Sequence, residues 1–225
     1  MDNSEKITND HDFQAQFHWD RSHWFKNMDF INWIRFFFII KEIEKSNPNK
    51  ILEVGEGSGI IRKVMSEYAE TYDTLDINDD LHPTYIGDVR NRINELEGRY
   101  DCIIAADILE HIPFEDLKTA LENFYSYLRK GGSILITIPH RASNFFFMSP
   151  TNIPRFFRIQ TGLLSMGAFY RRFIKRKIWI DPNHEWEIGD GAHSIKDVEQ
   201  TIREAGLSIE ARKTLFYVDF WILKK

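Results

Sequence analysis

Gly55, Gly57 and Gly59 stand at alternate positions directly after the apolar run Ile51, Leu52 and Val54, with Glu53 and Glu56 beside them. Glycine lacks a Cβ, so such a turn can take positive φ and bring its backbone against a bound molecule before Ile60 and Ile61 open a helix. A dinucleotide turn, G-x-G-x-x-G, needs its third glycine at position 60, where this chain has Ile60. Glu53 and Glu56 would also set two carboxylates beside the pyrophosphate that a helix N-terminus otherwise attracts. The chemistry suited to this turn is recognition of a cationic, phosphate-free nucleoside. Asp76 lies 17 positions beyond Gly59 at the end of an expected strand, Thr74 to Ile77. A strand-helix-strand unit of that length returns its carboxylate to the glycine turn, where it can accept from both ribose hydroxyls.

Proton transfer has two candidates. His140 closes the fifth β-rich run and His184 opens His184-Glu185-Trp186-Glu187; either can take a proton from a hydroxyl or ammonium acceptor. For His184, a purely local hydrogen-bonding role between Asn183 and Glu185 stays open. Asp79, Asp80 and His82 are close in sequence but sit in the turn after Asp76, with no ligand spacing repeated elsewhere, so no metal site is expected.

The stretch Leu52-Glu53-Val54-Gly55-Glu56-Gly57-Ser58-Gly59 resembles the first motif of the class I S-adenosylmethionine-dependent methyltransferases, of type 11/12. Asp107-Ile108-Leu109-Glu110-His111-Ile112-Pro113 is similar to their fourth motif, and His23-Trp24-Phe25 to a short aromatic lead-in. The resemblance implies a three-layer α/β fold with a Rossmann-like, mostly parallel seven-stranded sheet, order 3-2-1-4-5-7-6, its last strand antiparallel. It implies S-adenosylmethionine as cofactor and methyl transfer to a small-molecule or lipid-linked acceptor. It assigns the cofactor to Glu53, Gly55, Glu56, Gly57 and Gly59, the ribose to Asp76 with Ile77, and the adenine to Asp88 and the Val89 amide. The backbone near Ala106 would hold the methionyl ammonium, with Ile108 and His111 as walls; for His111, wall and chemistry both stay open. Motifs carry the resemblance over residues 50–140, and pattern alone over 184–223. Two other readings are an NAD-dependent oxidoreductase, opposed by Ile60 and Glu56, and a non-catalytic methyltransferase-like partner subunit.

These residues need a scaffold. With 225 residues, 43% of them hydrophobic, the chain can bury one sizeable core. It divides into an N-terminal helical extension, 1–49, and a domain, 50–225, carrying an insertion at 141–183. Residues 1–17 read as a frayed lead, and a helix is expected from Met28 to Lys45 with Phe30, Trp33, Ile34, Phe37 and Ile40 on its apolar face, ended by Asn47-Pro48. Tyr100 to Ala106 is a continuous apolar strand of the kind parallel sheets bury on both faces. A helix from Pro113 to Leu128 follows, with Gly131-Gly132 as its stop, and then a strand from Ser133 to Ile138. Ser194 and Asp197 form a variant capping box for a helix running to Ala205, with Gly206 just past its end, and two strands, Leu207 to Arg212 and Leu215 to Leu223, form a hairpin. The single cysteine, Cys102, excludes an internal disulfide and fits a reducing compartment. The polar start and the five-residue apolar run Phe36 to Ile40 argue for a cytoplasmic protein, with surface association to a membrane left open.

From Arg141 to Ile180 there are eight basic residues, no acidic ones and nine aromatics, in a chain of net charge -5. Forty residues without the βα rhythm are expected to form a functional loop. A lid over the acceptor is the first reading and peripheral membrane contact through 141–180 the second. A homodimer interface remains, and nucleic acid is disfavoured because no RNA or DNA module accompanies the segment.

Overall fold

The computed structural model describes residues 22, 26, 28–148, 154–160, 166–170, 174 and 180–225. Chain order is α1 (Phe30–Ser46), β1 (Lys50–Val54), α2 (Ile60–Met65), β2 (Thr71–Asp76), β3 (Tyr85–Ile86), β4 (Tyr100–Ala106), α3 (Leu117–Tyr127) and β5 (Leu128–Pro139). There follow β6 (Ala142–Met148), β7 (Pro154–Gln160), α4 (Met166–Phe169), α5 (Ile195–Glu204), β8 (Ser208–Leu215) and β9 (Val218–Lys224).

The main sheet has seven strands in the order β3-β2-β1-β4-β5-β9-β8. β1 to β5 pair in parallel, while β9 runs antiparallel to both β5 and β8. This is the expected Rossmann-like topology. Side chains alternate across each strand, so two cores form. Leu52, Ile103 and Ile134 face α3 and α5, meeting Leu121, Phe124, Val198 and Ile202. Ile51, Cys102, Ile104 and Leu135 face the other way, meeting Ile60 and Ile61 of α2 and Phe36, Ile39 and Ile43 of α1.

That second core corrects the expected face of α1. The buried apolar residues are Phe36, Ile39 and Ile43, while Phe30, Trp33 and Phe37 are exposed. The run Phe36 to Ile40 is apolar on every side, so periodicity could not choose between two stripes. Asp29 starts the helix by accepting from the Asn32 amide at 2.9 Å, and Asn47 ends it with φ 44°.

Two further differences have local causes. The helix expected to reach Leu128 stops at Tyr127, and β5 begins at once with an exposed Arg129-Lys130-Gly131 stretch, where Gly131 takes φ 78°. Part of the expected loop is a separate two-stranded antiparallel sheet: β6 pairs with β7 in a backbone register that sets Phe145 opposite Phe157 and Phe146 opposite Phe156. A Phe-Phe-Phe run has no polar alternation to announce a strand. His23-Trp24-Phe25, residues 1–17 and much of the basic insertion lie outside the described residues.

Ser194 caps α5 as its residue type suggests: its hydroxyl accepts from the Asp197 amide while the Asp197 carboxylate accepts from the Ser194 amide at 2.7 Å. We expect Ser194→Ala to cost about 1 kcal/mol of stability, read as a lower urea midpoint at unchanged slope.

Candidate active site

A cavity of about 730 Å³ opens at the C-terminal ends of β1, β2, β4 and β5, within the range of small-molecule sites. Of the sequence-derived candidates, only Gly59 and His140 fall outside its lining. Gly59 instead serves as the N-cap of α2 with φ 68°. His140 is buried, and its Nδ1 accepts from the Ala142 amide at 3.1 Å.

The glycine turn forms one end. Gly55 has φ 69°, donates its amide to the Leu75 carbonyl at 2.9 Å, and leaves no room for a Cβ, which would run into the Ile108 side chain. Glu53 is buried and accepts from the Tyr72 hydroxyl at 2.8 Å; burial and this carboxylate push the tyrosine well up from 10.0. Glu56 is buried with both oxygens 3.3 Å from Arg62 Nη1, so part of its charge is already offset. Asp76 accepts from the Asn78 amide at 2.9 Å. Burial raises its carboxyl above 3.8, with Glu56 adding to the rise. Asp88 is held by Arg90, whose Nε lies 3.0 Å from each oxygen, and those hydrogen bonds lower its pKa against the opposing effect of burial. The Val89 carbonyl is anchored by Asn123 Nδ2 at 2.9 Å.

At the back of the cavity stands a cluster absent from the sequence candidates. Asp107 has the left-handed φ of 54°, unusual for a side-chain-bearing residue. Its carboxylate accepts from the Thr137 hydroxyl at 2.5 Å and the Tyr217 hydroxyl at 2.9 Å, and pairs with Arg35. Arg35 also donates to the Tyr217 hydroxyl at 3.0 Å, yet its buried Nε has no partner among the described residues. The signal for Arg35 was present: it is the single basic residue between Met28 and Ile40. Its partners, 182 residues away in the case of Tyr217, were not visible.

The other end is built where the segment after the insertion is stitched to the loop after β4. The Glu185 amide donates to the Glu110 carbonyl at 2.8 Å, Trp186 Nε1 to the Ile112 carbonyl at 3.1 Å, and His111 Nδ1 lies 2.9 Å from the Asn183 carbonyl. His184 Nδ1 lies 2.8 Å from Glu187 Oε1. Burial alone would raise Glu187, but the hydrogen bonds from His184 and Arg141 outweigh it and lower its pKa. Burial pushes Glu110 up to about 8, and burial together with His184 pushes His111 down to about 4. Neither oxygen of Glu110 has a hydrogen-bond partner among the described residues, although the side chain is fully buried.

A Rossmann-like sheet with a glycine turn, a carboxylate ending β2 and a shaped loop after β4 defines the architecture of the methyltransferase class. The family model described as "Methyltransferase domain" matches residues 26–209, and the chain belongs to that family. It is 28% identical over 144 residues to the ubiquinone biosynthesis O-methyltransferase of Proteus mirabilis, the match covering 58% of this chain and 58% of that protein. The chain thus spans about six tenths of the length of the curated relatives it matches. The fold is similar to the N-methyltransferase NodS of Bradyrhizobium japonicum in complex with S-adenosyl-L-homocysteine, with a TM-score of 0.60, 12% identity, and coverage of 96% of this chain and 97% of that one. It is also similar to the Burkholderia thailandensis 1,6-didemethyltoxoflavin-N1-methyltransferase with bound 1,6-didemethyltoxoflavin and S-adenosylhomocysteine. There the TM-score is 0.55 and identity 12%, over 99% of this chain and 86% of that one.

Proposed function

We propose that this chain transfers a methyl group from S-adenosylmethionine to a small-molecule or lipid-linked acceptor by in-line displacement. The observation that carries the reading is one continuous cavity joining the acidic glycine turn, with Asp76, to the His111 and His184 end. When bound, the donor supplies a methyl on a sulfonium, whose departure as a neutral thioether requires attack from the side opposite the breaking bond.

The chain's own residues fit such a donor. Asp76 would accept from the ribose hydroxyls, and Asp88 and Val89 would take the adenine end. Gly55, Gly57 and Ala106 let backbone approach the amino-acid portion. Arg35, which lines the cavity, pairs with Asp107 and has no partner for its Nε among the described residues, would supply a cation for the carboxylate. Holding both reactants in line and excluding water accounts for much of the acceleration, on the order of 7–11 kcal/mol for well-oriented partners. A proton leaving a hydroxyl or ammonium acceptor would meet His184, whose Nδ1 is taken by Glu187, leaving Nε2 as the ring atom that can accept. His140 is not aimed at the cavity.

The lipid-linked option and peripheral membrane contact belong to this proposal through the basic, aromatic composition of 141–180. A cytoplasmic location belongs to the proposal too: the chain has a single cysteine, Cys102, and so no internal disulfide, which fits a reducing compartment. Titration calorimetry tests the donor: S-adenosylmethionine and S-adenosylhomocysteine are expected to bind and NAD to give no heat. Binding of NAD alone would replace the proposal with the oxidoreductase reading, and no binding of any of the three would favour a partner subunit.

A further inference from the structure

Glu110, His111 and His184 each bring a ligand atom to within 4.8 Å of the others. The two imidazoles are fixed in the same manner. His111 directs Nδ1 at the Asn183 carbonyl, 2.9 Å away, which requires the proton on Nδ1 and leaves the lone pair on Nε2. His184 directs Nδ1 at Glu187 Oε1, 2.8 Å away, and Glu187 is itself held by the Asp181 amide at 2.9 Å and by Arg141. A carbonyl and a carboxylate behind two imidazoles are the supports that orient metal-binding histidines. The third member is independent of both: Glu110 is 0% exposed, and neither of its oxygens finds a hydrogen bond among the described residues. Proteins satisfy most of their buried polar groups, and Glu110 is the buried carboxylate with both oxygens unpartnered among the described residues; beside two aligned imidazoles, that pair calls for a counterpart that is not a protein donor.

We infer that Glu110, His111 and His184 form a site for a divalent cation that accepts imidazole nitrogen together with carboxylate oxygen, of the Zn²⁺, Co²⁺ or Mn²⁺ kind. No thiolate takes part, since the single cysteine is buried in β4, and two nitrogen ligands disfavour Mg²⁺ and Ca²⁺, which take oxygen. Three protein ligands leave coordination positions open, and His111 and His184 both line the cavity. Those positions would take an oxygen of the acceptor, a clause that rests on the methyl-transfer reading, whereas the cation site does not. With the cation in place His184 would be a ligand, and the metal would lower the pKa of a bound acceptor hydroxyl so that its proton leaves to solvent before the oxygen takes the methyl, in place of a side-chain base.

The test uses the tag-free chain, stripped with a chelator and titrated with Co²⁺ alone, followed by visible absorption and calorimetry. One Co²⁺ per chain is expected, with d–d bands of nitrogen and oxygen ligation and no thiolate charge-transfer band. Glu110→Gln and His184→Ala should each weaken binding at least tenfold with circular dichroism unchanged, while His82→Ala, in the exposed turn, should bind as the parent does. Absence of stoichiometric binding, survival of full affinity in Glu110→Gln, or an equal loss in His82→Ala would overturn the site. Should Glu110→Gln not fold, the imidazole resonances decide: Co²⁺ must shift those of His111 and His184 and spare His140 and His193. The donor titration above is independent, so a failed metal site leaves the methyltransferase reading, with His184 as base, standing.

Discussion

Gly55→Ala is expected to lower affinity for S-adenosylmethionine at least a hundredfold, about 2.7 kcal/mol, while the chain stays folded. Two costs act together. The residue sits at φ 69°, where a Cβ costs roughly 1–2 kcal/mol, and the added methyl would occupy the space of the Ile108 side chain. Ile108 is a cavity wall, so the displacement propagates into the volume the donor would fill rather than into solvent. The fold has other sources of stability, because β1, which leads into the turn, and its sheet neighbour β4 are buried on both faces. Calorimetry with S-adenosylhomocysteine and a parallel urea melt separate the two effects. Affinity kept within threefold would mean that the turn does not approach the ligand.

The glycine turn was legible because its chemistry is local: residue type, spacing and the preceding strand lie within ten positions. The same holds for β4, expected and found at Tyr100–Ala106, and for the Ser194 cap. The strand order came from family resemblance and is the one observed. What the sequence hid are features defined by distant pairs. Asp107 reads as one letter of a motif, but its role follows from Thr137, Tyr217 and Arg35 converging on it. Glu110 likewise reads as a motif residue, and only its burial without a hydrogen-bond partner among the described residues makes it unusual. No spacing rule links it to His184, since the chain between them passes through β5 and the insertion. The face of α1 was misread for a different reason. Aromatic residues surround that helix, and the sheet, not the periodicity, selects Phe36, Ile39 and Ile43. Arg90 was missed as well, and it changes what Asp88 offers, because that carboxylate is already occupied by a guanidinium.

Asp76→Ala should weaken donor binding at least thirtyfold, about 2 kcal/mol, through loss of two charge-assisted hydrogen bonds to the ribose. The pH dependence supplies a second, more specific readout. Burial raises the Asp76 carboxyl above its ordinary 3.8, and the nearby Glu56 adds to the rise. The ionised form is the one that accepts from both hydroxyls, so affinity should be full at neutral pH. It should decline as pH falls through the raised pKa, beginning above the usual aspartate range. In Asp76→Ala that decline should be missing, leaving a weaker but flatter profile. Stability moves the opposite way. A carboxyl whose folded pKa lies above its unfolded one favours the folded state when protonated, below the unfolded pKa, and loses that contribution as pH rises through the folded pKa. At neutral pH the side chain is thus held ionised against its surroundings, and its removal should leave the melting temperature equal or higher. A variant that binds weakly and melts no earlier assigns Asp76 to the ligand. Unchanged affinity, or a pH profile parallel to that of the parent, would place the ribose elsewhere in the cavity.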